Sequence, residues 1–261
     1  YGVFIERTGA KLVEVKSQEK TFQIDMDNFE KAINEKTKAV IINSPNNPSG
    51  VVYTVETIEK MCQLLKKKEE EYGHPIFLIT DEPYRELVYD DIDVPYMINY
   101  YDNTFVCYSY SKALSLPGER IGYIVVSNKM VDSKDAYAAV CGAGRVLGYV
   151  CAPSLFQKVI ERCIDDTADI SIYKTNRDLL YNSLTEMGFE CVYPDGAFYL
   201  FVKAMEDDAK AFCEKAKEQE LLLVPADSFG TPGYVRVSYC VQTEQIERAL
   251  PAFKKLADSY K

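Results

Sequence analysis

An α/β fold is predicted by three features of the 261-residue sequence: apolar runs of strand length, amphipathic stretches of helical length between them, and turn-forming clusters where the runs end. In order, LVEV reads as a strand, DMDNFEKAINEK as a helix capped by Asp25, and KAVIINS as a strand. TVETIEKMCQLLKKKEEEY reads as a helix capped by Thr54 whose KKKEEE block is its solvated end. PIFLITD, NTFVCYSY and RIGYIVVS follow as strands. Apolar residues run through these strands without strict alternation, which predicts burial on both faces and a mainly parallel sheet joined by helical crossovers.

After Ser127 the pattern turns helical: NKMVDSKDAYAAV, then PSLFQKVIERC opened by Pro153, then an amphipathic stretch from Asp166 to Met187 that carries the chain out of the first domain. The remainder gives strands FECVYP, FYLFVK, LLLVP and YVRVSYC, a helix DDAKAFCEKAKEQ, and a closing helix from Thr243 in which Pro251 introduces a kink. The expected division is a large α/β domain over 1–165 and a small C-terminal α+β domain over 166–261. The chain opens at Tyr1 inside YGVFIERTGAKLVEV, with strand-like alternation already under way, and this predicts a fragment whose large domain is truncated.

Composition narrows the function. Thirty basic against 40 acidic side chains give a net charge of −10, which provides no field to attract nucleic acid or an anionic membrane. The eight cysteines are scattered with no C-x-x-C pair, against both a zinc site and a disulfide framework. With no bilayer-length apolar run and no leader pattern, a cytoplasmic protein acting on small molecules is expected. The single histidine, His74, sits in a loop-like YGHP with no nucleophile beside it and reads as structural. Neither a G-x-x-x-x-G-K-[ST] nor a G-x-G-x-x-G loop is present.

Four polar clusters remain. SPNNPSG at 44–50 follows KAVIIN and alone reads as a turn. DEPY, Asp81 to Tyr84, follows PIFLIT and alone reads as a helix cap. SYSKALSLPGERIGY at 109–123 puts Lys112 between small hydroxyl residues at the mouth of a buried strand, with Arg120 downstream. Arg236 is a charge inside the apolar strand YVRVSYC. The sets that end parallel strands lie where an open α/β sheet places its ligands. Jointly they supply an amine nucleophile, a carboxylate for a ring nitrogen, donors for a phenolate, and hydroxyl and cationic donors for a phosphate. Those are the needs of pyridoxal phosphate.

Their order and spacing resemble the class I/II aminotransferases, aspartate aminotransferase-like enzymes of the fold type I pyridoxal-phosphate architecture, along nearly the whole chain. SPNNPSG resembles the family's N-P-T-G turn with Ser for Thr, DEPY its D-E-x-Y, SYSKALSLPGERIGY its S-x-S-K segment with a following R-x-G, and YVRVSY its late R-[VIL]-S strand. The resemblance implies that Lys112 forms a Schiff base with the cofactor and later moves a proton, and that Asp81 pairs with the pyridinium nitrogen. It gives Asn47 and Tyr84 to the phenolic oxygen and Ser109, Ser111 and Arg120 to the phosphate. The substrate carboxylate falls to Arg236, with Asn47 beside it. An amino group would pass between an amino acid and a 2-oxo acid, in a homodimer when the enzyme is intact.

The family's phosphate-capping helix and ring-stacking aromatic lie upstream of Tyr1, so this fragment is expected to bind the cofactor weakly and to be inactive alone. Arg145 lies near GYVCAP, a residue out of register with the arginine that dicarboxylate-specific relatives use, and leaves aspartate, alanine and aromatic donors open. Two alternatives share these residues: a β-lyase or decarboxylase on the same scaffold, and the ligand-sensing domain of a transcription regulator.

Overall fold

The computed structural model describes residues 1–261. A short helix α1 (Gly2–Arg7) opens the chain, followed by α2 (Met26–Ala32), β1 (Ala39–Asn43), α3 (Val55–Tyr72), β2 (Phe77–Asp81) and β3 (Thr104–Ser109). One turn of helix, α4 (Tyr110–Ala113), leads to β4 (Gly122–Val126). Helices α5 (Ser133–Val146), α6 (Ser154–Arg162) and α7 (Ile170–Met187) come next, then β5 (Cys191–Val192), β6 (Tyr199–Lys203), α8 (Ala209–Glu218), β7 (Val224–Pro225), β8 (Tyr234–Ser238) and α9 (Thr243–Asp258).

The strands form two four-stranded sheets, ordered β1-β2-β3-β4 and β5-β6-β8-β7. In the first, β1, β2 and β3 are parallel and β4 returns antiparallel to β3. Parallel neighbours need a crossover, and α3 supplies it between β1 and β2. That helix is well specified. Thr54 Oγ1 accepts from the Thr57 N–H, Gly73 ends it at φ 70°, and Ile58, Met61, Cys62 and Leu65 form its buried stripe. These pack with Phe29, Ile42, Ile76 and Leu78 into one core, each large side chain contributing about 1.5–3 kcal/mol on burial.

The second sheet, entirely antiparallel, is covered by α7, α8 and α9, with Leu180, Leu184, Phe212, Phe253 and Leu256 in its core. Tyr84, Leu87 and Tyr89, which follow β2, belong to this same core. The join is made by backbone: Val88 bridges Gly196, Tyr89 N–H donates to Asp195 O, and Ala197 N–H to Leu87 O. Gly196 is required there, since a Cβ would lie 2.7 Å from Leu87 O.

Some elements differ from the sequence reading. LVEV forms no strand; Val13 and Val15 are 52% and 37% exposed, and nothing pairs with them. The residues before it are helical, not strand-like. The helix expected from Asp166 starts at Ile170, where Asp169 caps the Ser171 N–H. FECVYP and LLLVP each shrink to a two-residue strand at the ends of the second sheet. The closing helix is as expected, with α9 beginning at Thr243 and containing Pro251.

Candidate functional site

Parallel register places the motifs side by side. Asn43 at the end of β1 pairs with Asp81 at the end of β2, and Asp81 pairs with Cys107, two residues before Ser109 ends β3. Asn43 Nδ2 donates to Asp81 O (2.7 Å), and Asn43 Oδ1 accepts from the Asn47 N–H (2.8 Å). Asn46 Oδ1 accepts from both the N–H and the hydroxyl of Ser49, at 3.0 and 2.8 Å. Gly50, at φ 74°, closes the turn where a Cβ would come within 2.6 Å of Pro194. SPNNPSG is therefore a turn, as its composition says, but one held rigidly over the strand ends.

That rigidity aims Asn47. Its Oδ1 accepts a 2.8 Å hydrogen bond from Arg236 Nη1, across 189 positions of sequence. The Arg236 guanidinium lies 4.5 Å from the Tyr199 ring centroid and 5.2 Å from that of Phe229. Its Nε is buried and has no hydrogen-bond partner. A buried unsatisfied N–H of a cation is costly, and a carboxylate is the group that relieves it.

Tyr84 is 4% exposed, with its hydroxyl 3.2 Å from that of Tyr199. Burial, with the Tyr199 hydrogen bond second, pushes its phenol well above the ordinary value. Lys112 Nζ rests 5.3 Å from the Phe198 ring centroid and 5.7 Å from that of Tyr84. Asn47, Arg236, Tyr199, Tyr84, Phe198 and Lys112 thus form one connected set.

Asp81 is partly buried. Desolvation raises its carboxyl above the usual range, partly offset by a 2.5 Å hydrogen bond from the Tyr1 hydroxyl. Ser109 caps α4: its Oγ accepts from the Ser111 N–H (3.2 Å) and lies 2.6 Å from Ser111 Oγ. Arg120 stands apart. It is exposed, at φ 52°, and donates to Pro117 O at 2.9 Å, so no contact joins it to the two serines. Two residues later Gly122 is obligatory, because a Cβ would lie 2.2 Å from Tyr108 O across the β3–β4 ladder.

Arg145 is exposed in the last turn of α5 and joins none of these residues. His74 faces two backbone carbonyls, Pro75 O and Glu35 O, and no reactive group. A cavity of about 370 Å³ beside Tyr110, Ile121, Gly122 and Ile160 borders the 109–123 segment but is lined by none of Lys112, Ser109, Ser111 and Arg120. Sequence reasoning missed Tyr199, Tyr1, Phe198, Phe229 and Asn43. Asn43 carries a signal, as the polar residue closing an apolar strand; the aromatics read as ordinary core.

Comparison with known proteins identifies the family and the fold. A family model described as aminotransferase class I and II matches residues 1–253. An aspartate aminotransferase of Thermotoga maritima is 34% identical, over 92% of this chain and 61% of its own length. A crystal structure of an aminotransferase from Eubacterium rectale superposes with a TM-score of 0.97 at 62% identity, covering 100% of this chain and 66% of that one. The solved Thermotoga maritima aspartate aminotransferase gives 0.84 at 30% identity, over 99% of this chain and 68% of that one. The architecture is that of the aspartate aminotransferase-like, fold type I structures, and the chain spans 61% and 63% of the length of the first two curated relatives. This chain belongs to the class I and II aminotransferase family.

Proposed function

We propose that this chain is the substrate-carboxylate and cofactor-attachment part of a pyridoxal-phosphate-dependent aminotransferase that moves an amino group between an amino acid and a 2-oxo acid. The observation that carries this reading is the buried, unpartnered Nε of Arg236, held by Asn47 and linked through Tyr199 and Tyr84 to Lys112. The donor set fits the cofactor: an amine against aromatic rings, a desolvated carboxylate, and paired serine hydroxyls. When bound, pyridoxal phosphate supplies an electron sink for the substrate α-carbon.

Lys112 would be the attachment point and the group that holds and moves the α-proton. Asp81 would keep the ring nitrogen protonated, because an ionised carboxylate beside that nitrogen favours its charged form. Tyr84 and Asn47 would hold the phenolic oxygen, while Ser109, Ser111 and Arg120 would hold the phosphate, Arg120 after turning away from Pro117. Arg236 takes the substrate carboxylate in a fork geometry, which orients the amine. Aspartate is the proposed donor, since the relatives include enzymes named for aspartate, with aromatic donors next.

The active parent is proposed to be a cytoplasmic homodimer, with the division at 165/166 as its domain boundary. All eight cysteines are free, and no helix is long and apolar enough to cross a membrane. Alone, this chain is expected to bind the cofactor weakly and to turn over little or no substrate. Borohydride trapping tests the assignment: at millimolar pyridoxal phosphate, reduction followed by peptide mass spectrometry labels Lys112 ahead of every other lysine. Labelling spread evenly over the surface lysines would refute it.

A further inference from the structure

We propose that Tyr199 is a positioning residue that preorganises Arg236 for a carboxylate, an inference that rests on the carboxylate-binding reading of Arg236. Tyr199 lies on β6 and Arg236 on the neighbouring β8. The guanidinium carbon sits 4.5 Å from the Tyr199 ring centroid, within cation–π range. The tyrosine hydroxyl is 3.2 Å from that of Tyr84, so the ring is pinned at its far end to the DEPY segment. Tyr199 is 7% exposed, and Tyr84 and Phe198 pack on it edge-on and tilted, which leaves the ring little freedom.

An arginine side chain has several torsions to lose, and a guanidinium already parked against a fixed ring loses fewer of them when its ligand arrives. Asn47 fixes one end of the fork through Nη1, and the ring face fixes its plane. Nε is left buried and unsatisfied. Tyr199 thereby links the two ends of the proposed site, the phenol of Tyr84 and the carboxylate grip.

The test uses the 261-residue chain with succinate as the probe, followed through the Arg236 Nε–H resonance and by calorimetry. Tyr199→Phe removes the hydroxyl contact to Tyr84 but keeps the ring and the Tyr84 and Phe198 packing that holds most of its position, and is expected to lower succinate affinity by no more than about 2-fold. Pentafluorophenylalanine at the same position keeps the shape but reverses the charge distribution of the ring face. It is expected to lower affinity about 5-fold by reducing the fraction of chains with Arg236 in its competent pose, with the thermal midpoint unchanged. Arg236→Lys is the control for the underlying reading.

If Arg236→Lys abolishes binding while the fluorinated ring matches phenylalanine, the role given to Tyr199 is wrong and the carboxylate reading stands. If Arg236→Lys leaves binding intact, or the unmodified chain binds no succinate at high millimolar concentration, both are overturned. Because the two ring variants differ only in fluorine, a folding defect does not blur the comparison.

Discussion

The hydroxyl of Tyr1 donates a 2.5 Å hydrogen bond to Asp81 Oδ2, joining the first residue of the chain to the carboxylate at the end of β2. The bond opposes a desolvation that raises the Asp81 carboxyl. A carboxyl whose folded-state pKa is raised adds stability in its protonated form, and that contribution is lost as pH rises through the folded value. Asp81→Asn keeps an acceptor for Tyr1 and removes the buried charge. Its urea midpoint is expected to exceed that of the unmodified chain at pH 7 and to converge with it near about pH 3. A midpoint at or below the unmodified chain at pH 7 would contradict the burial argument.

Asp90 behaves in the opposite sense. Hydrogen bonds from Lys174 and Arg177 hold its carboxyl below the ordinary value. Arg177 is 1% exposed and has Tyr89 and Tyr193 rings within 4.7 and 4.6 Å, so the pair ties α7 to the segment after β2. A depressed carboxyl stabilises the fold above its unfolded pKa, and the benefit disappears as pH falls through the depressed folded value. Asp90→Asn is therefore expected to destabilise the chain at pH 7 and to be neutral at about pH 2, read from denaturation midpoints across the range. Equal loss at both ends would mean that packing, not charge, sets the effect.

Gly122 and Gly118 make a matched pair in the SYSKALSLPGERIGY segment. A Cβ at Gly122 meets backbone oxygen at 2.2 Å, whereas one at Gly118 meets nothing within 4 Å. Backbone on both sides of the β3–β4 ladder cannot yield as a side chain does. Gly122→Ala is expected to cost about 3 kcal/mol in chemical denaturation, the upper end for overpacking, and Gly118→Ala less than about 0.5 kcal/mol. Similar losses for both would show that the ladder relaxes.

These residues also show what a sequence can reveal. Asp81 and Ser109 were legible because polar residues that close apolar runs become neighbours once the runs pair in parallel, and the same signal at Asn43 went unread. Lys112 was singled out as an amine between small hydroxyl residues at the mouth of a strand, and Arg236 as a charge inside an apolar one. Tyr199 was not, because FYLFVK is buried along nearly its whole length and alternation carries no information on which face meets Tyr84. The position of Arg120 was equally hidden: its left-handed turn and its bond to Pro117 are set by local backbone, not by the chemistry of the motif. LVEV failed as a strand for a related reason, since strand character needs a partner and the pattern records only the capacity for one.

The far side of the first sheet yields the last prediction. Strand β4 is an edge, its GYIVV sequence carries neither charge nor proline, and Tyr123 and Ile124 are 46% and 49% exposed. Helix α5 buries none of its residues, and at and just after its end Val146, Leu147, Tyr149 and Val150 are all more than 70% exposed. Unpaired edge groups beside apolar side chains favour association, which a net charge of −10 opposes only while salt is low. Sedimentation velocity of this chain is therefore expected to show self-association that increases from low to about 0.5 M salt. Ile124→Lys places a charge on the edge strand and should return the chain to a monomer without lowering its thermal midpoint. Persistent association of that variant would locate the contact elsewhere than on β4.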